Sequence, residues 1–338
     1  MYPIFQKDIF IHKIRIIFGN NVINLQGIIA TFVGEVFILC CSKYSKLGSE
    51  TCPNLGYTVN ILRDFLWNFY IKKLVFCAFS PIKEGSKVYS LCYVLSVSLG
   101  DYVFGFSIFG NIGNLVFCKN RVNVRFRWCV EAPAASIIER VSVFESLSTG
   151  IISVDTIVPI GRGQRELVLG DRQTGKSSIG IDTILNQRFP KVFCVFVPIG
   201  QKSTSILEVF MSIISRDSSF FVTFLVSSSS NSAVSQYLFS YFGAGLSEFF
   251  IYICGSSVFM FIDDLSKHAG SFREISLLLR RPPGREAYPG EIFFVHSRLL
   301  ERAAKLAPSL GGGSISCIPV IETLAGDLGA FIATNVIH

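Results

Sequence analysis

From about residue 150 onward, apolar runs of strand length alternate with segments long enough to be helices. The runs cover 166–169, 192–199, 220–226, 258–262 and 315–321. Their interiors carry almost no polar alternation, which suits strands covered on both faces. Helices between such strands predict a largely parallel sheet. Before about Val88 the pattern differs. Short β-like pieces at 22–25, 28–40 and 74–79 are separated by turn residues such as Gly19-Asn20-Asn21 and Pro53-Asn54-Leu55-Gly56. These predict a small barrel or sandwich. The expected organisation is a small β-rich N-terminal domain over 1–88 and an α/β domain over 89–338. No repeat of 20 to 50 residues is visible.

Two uncharged stretches raise a membrane question, as does the mean hydropathy of +0.49. No residue between Asp217 and Glu248 is charged, a length sufficient to span a bilayer. Yet Ser227, Ser228, Ser229, Ser230, Asn231, Ser232 and Ser235 interrupt it, so the pattern predicts strand, polar loop, then helix. The second stretch, 102–117, is broken by Gly105, Gly110 and Gly113. No transmembrane helix is expected.

Composition changes this picture little. At 338 residues, half of them hydrophobic, the chain has ample material for a core. The 32 Phe against 2 Trp and 3 Met read as coding bias. The net charge of +7 comes from scattered Lys and Arg, with no basic tract of the kind a nucleic-acid surface needs. Ten cysteines contain no C-x-x-C pair and only four histidines accompany them. Most lie in apolar runs and are expected to be reduced, buried thiols, neither disulfides nor metal ligands. The basic residues from Lys7 are not followed by a secretory apolar core, and no Arg-rich transit segment is evident.

The chemistry lies in Gly170-Asp171-Arg172-Gln173-Thr174-Gly175-Lys176-Ser177, a full G-x-x-x-x-G-K-[ST] match. The two glycines are expected to let the backbone turn so that successive N–H groups face phosphate oxygens. Lys176 would reach the β- and γ-phosphates, Ser177 would ligate Mg²⁺, and a helix starting near Gly175 adds its positive end, with Ser178 in its first turn. The flanks fit: a predicted strand precedes the loop, and a helix-compatible stretch to Gln187 follows, stopped by Pro190. By chance the bare pattern arises in roughly one chain per hundred of this size. A P-loop also requires an acid at the end of a neighbouring strand to support the magnesium ion. Val258-Phe259-Met260-Phe261-Ile262-Asp263-Asp264 supplies it. Asp263 is the candidate for the metal, and Asp264 the candidate for capping the next helix.

Further stretches go beyond a generic P-loop. They are Pro159 to Glu166 (PIGRGQRE), Asp263 to Lys267 (DDLSK), Leu277 to Gly290 (LLLRRPPGREAYPG), His296 to Lys305 (HSRLLERAAK) and Pro319 to Thr323 (PVIET). Together with the P-loop they make the chain resemble the α subunit of F-type ATP synthase, densely from about Ala132 to Val336. Before that the resemblance is thin, carried by Ile82 to Gly85 and Leu99 to Asp101. The implied fold is a RecA-like P-loop NTPase domain with a mostly parallel sheet, preceded by a small β-barrel.

The resemblance implies ATP or ADP with Mg²⁺ as bound cofactors. It also implies an alternating hexamer with β subunits around a central γ stalk, a peripheral stalk, and no direct membrane span. It makes the Arg280 to Gly290 turn, otherwise a solvated loop, a subunit-facing segment, and it allows Arg172 and Gln173 to contact nucleotide. In catalytic relatives a Glu follows the strand after the P-loop helix and orients the attacking water. Here that position is Gln201, whose amide binds water but is no general base. The resemblance therefore favours the non-catalytic, regulatory type of subunit. The alternative is an ATP-hydrolysing hexameric motor of helicase or secretion type. Gln201 and the lack of a basic, aromatic-rich stretch count against it.

Two departures stand out. Ser203 replaces a basic residue usual after Gln201-Lys202. The family also continues past His338, where it supplies an arginine to the neighbouring site, residues of the adenine pocket and a helical domain. A split subunit completed by a second polypeptide, a fragment, and a functional short form are all compatible with the sequence. The Phe- and Ile-rich composition, with no transit segment, suggests an organelle-encoded protein on the matrix side of the mitochondrial inner membrane.

Overall fold

The computed structural model describes residues 124–337 apart from 189, 191, 217–220 and 324; before 124 it describes Leu95 and the strands named below. The expectations at 19–25, 82–85 and Asp101 lie outside these residues. Strands β1 to β7 are Gln26–Val33, Val36–Cys41, Glu50–Cys52, Leu55–Val59, Phe65–Leu66, Tyr70–Val75 and Lys87–Ser90. They form one antiparallel sheet in the order β2-β1-β7-β3-β4-β6-β5. The additional pairing of β2 with β6, from Val36↔Leu74 to Cys40↔Tyr70, closes the path into a ring. Closure removes the open edge that such a sheet would otherwise present.

Four further strands follow: β8 (Ser96–Gly100), β9 (Ser107–Phe109), β10 (Leu115–Cys118) and β11 (Val124–Cys129). β8 and β11 form a separate antiparallel pair. β9 and β10 lie within the uncharged 102–117 stretch and belong to the main sheet. The short strands β12 (Ser146–Leu147) and β13 (Ile160–Gly161) pair with each other, flanking helix α1 (Ile152–Ile157).

The main sheet is then completed by β14 (Val168–Gly170), β15 (Phe193–Gln201), β16 (Val222–Leu225), β17 (Ser227–Ser228), β18 (Ser257–Asp263) and β19 (Ser314–Glu322). Its order is β10-β9-β16-β15-β18-β19-β14, with β17 beside β15. Every pairing is parallel except β9 with β10. The five apolar runs are thus strands of one parallel sheet, with bounds shifted by a residue or two at most ends.

Both faces are covered, which explains the continuous apolar runs. Side chains alternate along a strand. Val195, Val197, Ile199, Val258, Met260 and Ile262 enter one core, while Cys194, Phe196, Phe259 and Phe261 enter the other. The second core is closed by Ile184 of α2 (Lys176–Asn186) and Ile213 of α3 (Ser203–Ser215). The first is closed by α4 (Ala233–Ile253) and α5 (Leu265–Leu278).

Helix α4 accounts for the second half of the uncharged stretch between Asp217 and Glu248. It is buried on nearly every side, as a helix apolar all round must be. A Cβ at Gly243 would stand 2.8 Å from Val197 Cγ2, so the bare backbone lets the helix lie close on the sheet. The hydroxyls of Ser240 and Ser247 donate to the Tyr237 and Gly243 carbonyls of the same helix, so their burial leaves no donor unmet. Among the described residues no helix is long and apolar enough to cross a membrane. The one carboxylate of α4, Glu248, is paired in the core with Arg302 at 2.7 Å and accepts from Trp128 Nε1 at 2.8 Å. This network ties α4 to β11 and to the end of α6 (Ile292–Leu300).

The loop at 280–290 is exposed over 282–287, while Tyr288 and Pro289 are buried. Arg273 caps the Tyr288 ring from 4.7 Å, and Arg281 pairs with Glu291. Four cysteines have described side chains and are free: Cys194 and Cys317 are buried, Cys254 is half-buried and Cys129 is exposed. Burial pushes the Cys317 thiol up to about 12. The last described helix is α7 (Phe331–Ile337).

Candidate nucleotide site

The site forms where the carboxyl ends of β14, β15, β18 and β19 meet, the edge at which parallel sheets of this kind place their ligands. β14 ends at Gly170, and α2 begins at Lys176 with Gly175 as its cap at φ +85°. Gln173 also adopts positive φ (62°), so the left-handed turn is shared between a glycine and a non-glycine. Gly170 corrects the expectation that both glycines serve the turn, because its φ is ordinary. Space is what requires it: a Cβ there would stand 2.8 Å from Thr174 Oγ1, inside the loop.

Lys176 is buried, with its ammonium donating to the Gly170 carbonyl at 2.7 Å and to the Asp171 carbonyl. Thr174 Oγ1 donates to the same Asp171 carbonyl at 2.8 Å. Gln173 and Ser178 are exposed. Arg172 has a partner within the protein. Its side chain is 74% exposed and its Nε lies 3.2 Å from the Glu322 carboxylate, so the charge is turned aside to a neighbouring strand.

Ser177 and Asp263 come from different elements and meet. The Ser177 hydroxyl donates to Asp263 Oδ2 at 2.6 Å, joining the first turn of α2 to the end of β18. Asp264, after a cis peptide bond, caps α5 by accepting from the Lys267 N–H at 2.7 Å. Burial pushes its carboxyl up to about 6, against the opposing pull of Lys267. β15 extends past the expected strand end to Gln201, through a register shift at Gly200, whose φ is +61°. Such a bulge re-aims the side chain that follows it. The Gln201 Nε2 lies 3.5 Å from the Asp263 carbonyl, and the Gln201 carbonyl accepts from the Ser229 N–H at 2.9 Å.

Three contacting residues were not among the sequence candidates. Thr323 Oγ1 donates to Asp171 Oδ1 at 2.6 Å, and the Gly326 N–H donates to the same oxygen at 3.0 Å. These bonds, the Thr323 hydroxyl first, hold the Asp171 carboxyl below its ordinary range. Ser266 Oγ accepts from the Glu322 N–H at 2.9 Å, linking the DDLSK and PVIET stretches. The signal was topological: β19 lies next to β14 in the sheet, with Gly170 in register with Glu322.

The residues present fit a nucleoside phosphate with magnesium. A buried lysine stands at the helix start, and a hydroxyl and a carboxylate from different elements are already in contact. Among the described residues no group of three or more His, Cys, Asp or Glu is gathered for a metal. Ser177 and Asp263 would therefore share the ion with phosphate oxygens and water, as magnesium commonly requires. When bound, the ion neutralises phosphate charge.

A mostly parallel, doubly covered sheet with this loop at its carboxyl edge defines a RecA-like P-loop nucleotide-binding domain. The model of the ATP synthase alpha/beta family, nucleotide-binding domain, matches residues 150–338, and the chain belongs to that family.

Proposed function

We propose that this chain is an α-type, nucleotide-holding subunit of the F1 sector of a proton-transporting rotary ATP synthase, binding ATP or ADP with Mg²⁺ without turning it over. The observation that carries the reading is the side chain at 201. It ends β15 beside Asp263, where a catalytic site needs a carboxylate to activate water, and Gln201 offers an amide that takes no proton at ordinary pH. Phosphate grip through Lys176 and metal support through Ser177 and Asp263 do not depend on that carboxylate.

Assembly is supported by the surface. Large exposed apolar side chains are concentrated between 137 and 158, among them Ile137, Ile138, Phe144, Ile152 and Ile157. Apolar exposure of this kind marks a face that a partner covers. In the proposed complex the chain alternates with catalytic β-type subunits around a central γ stalk, steadied by a peripheral stalk. The composition supports an organelle-encoded protein at the matrix side of the mitochondrial inner membrane.

The second reading, an ATP-hydrolysing hexameric motor, keeps the same grip but requires turnover. Steady-state hydrolysis of Mg-ATP by the purified chain separates the two. The holding role expects a rate no higher than that of the Lys176→Ala variant, whereas sustained turnover that Lys176→Ala abolishes establishes the motor.

A further inference from the structure

We infer that Thr323 is a positioning residue for phosphate binding, closing a latch with Asp171 and Gly326 that sets how tightly the P-loop grips its nucleotide. The inference rests on the nucleotide-holding reading of the site. The P-loop is usually considered self-contained, but here its second residue is held from outside. The Asp171 side chain is turned onto the segment after β19, accepting from Thr323 Oγ1 at 2.6 Å and the Gly326 N–H at 3.0 Å. The Thr323 N–H also donates to the Gly170 carbonyl at 3.0 Å, continuing the β14–β19 ladder into the loop. The ion pair from Arg172 to Glu322 holds the next residue to the same strand end.

Inside the loop, the carbonyls of Gly170 and Asp171 are held by Lys176, and that of Asp171 also by Thr174. Residue 171 is thus pinned through its side chain on one flank and through its carbonyl on the other. That fixes where the following amides point. Thr323 is buried, and Ala325 and Gly326 take positive φ (53° and 72°) to bring the Gly326 N–H onto the carboxylate. Bonds to a charged acceptor are the stronger kind, and an ionised carboxylate can accept both. Without the latch, residue 171 must be ordered when nucleotide binds. Ordering one backbone residue weakens affinity about tenfold.

The coupling is reciprocal: what the latch gives to nucleotide affinity, nucleotide must return to the latch. Mg-ATP titrations on the full chain, with hydrogen exchange at the Gly326 amide, test this. Thr323→Val is expected to weaken Mg-ATP binding about tenfold, and Thr323→Ser, which keeps the hydroxyl, to bind like the wild type. Asp171→Asn is expected to weaken binding as well, without adding to the loss from Thr323→Val. In the wild type, Mg-ATP should slow exchange at Gly326; a merely structural threonine would leave that exchange indifferent to nucleotide. Should Thr323→Val not fold, Asp171→Asn and the exchange measurement carry the test. Wild-type affinity in Thr323→Val or Asp171→Asn, or Gly326 exchange unchanged by Mg-ATP, overturns the latch while the site stands. Failure of the wild type itself to bind Mg-ATP, with Lys176→Ala no different, overturns the site reading and the latch together.

Discussion

Acidification should weaken the fold through two histidines in its interior. His268 on α5 and His296 on α6 are both buried, with His268 Nδ1 3.2 Å from His296 Nε2 and His268 Nε2 3.1 Å from the Tyr237 carbonyl. A carbonyl only accepts, so Nε2 of His268 carries the proton and its Nδ1 accepts from His296 Nε2–H. His296 Nδ1 is then a buried acceptor with no partner among the described residues. A second proton on either ring would break this chain of bonds or place charge in the core, close to Tyr237, Tyr241 and the Arg298 guanidinium that covers Tyr241. Burial accordingly pushes His268 down to about 3, with His296 adding to the effect, and His296 down to about 4.

The sign follows from which state takes up protons. In the unfolded chain both rings protonate as pH falls below about 6.5, while in the folded chain they stay neutral. Stability is therefore full above pH 6.5 and is lost on acidification toward the folded values. At pH 5.5 each ring costs about 1.4 kcal/mol, and the pair about 3 kcal/mol. Urea unfolding of the full chain at intervals from pH 7.5 to 5 measures this, and His268→Gln should lose about 1 kcal/mol less than the wild type between pH 6 and 5. Asp264, which burial raises to about 6, takes up its proton in the same window and offsets part of this loss, whereas carboxylates such as Asp155 and Asp171, whose hydrogen bonds hold them below their usual range, titrate at lower pH. Stability that stays level from pH 7 to 5, or equal slopes for wild type and variant, would refute the reasoning.

Two other perturbations follow from the packing. Glu248→Ala strands the buried Arg302 guanidinium and the Trp128 indole N–H. It is expected to cost about 3–5 kcal/mol in denaturant unfolding, and a loss below about 1 kcal/mol would show that water reaches the pair. Gly180→Ala would put a Cβ 2.1 Å from Phe261 Cζ, forcing α2 off the sheet two residues from where β18 delivers Asp263. A cost of about 1–3 kcal/mol is expected, relieved when Phe261→Leu is combined with it; no rescue would mean that the strain lies elsewhere.

The parallel sheet was legible because its strands are apolar on both faces, and runs such as 192–199 carry that pattern without ambiguity. The same pattern located Asp263, since an acid ending a buried strand has few other uses. Contacts across the sheet were not legible. Nothing in the spacing of Asp171 and Thr323 tells that β14 and β19 are neighbours, so the latch became visible only with the strand order. The protein partner of Arg172 was hidden for a related reason. A basic residue inside a phosphate loop suggests phosphate, but Glu322 at the adjoining strand end captures it. Gly170 was assigned to the turn because glycine usually supplies positive φ, whereas here it supplies room for Thr174.

The proposed site holds nucleotide and leaves it intact. This is tested most directly by loading the purified chain with Mg-ATP, removing free nucleotide by gel filtration, and identifying what remains bound after acid quenching at successive times. Stoichiometric nucleotide is expected on the wild type, recovered as ATP throughout, and none on Lys176→Ala. Bound ATP steadily converted to ADP, or nothing retained on the wild type, would contradict it.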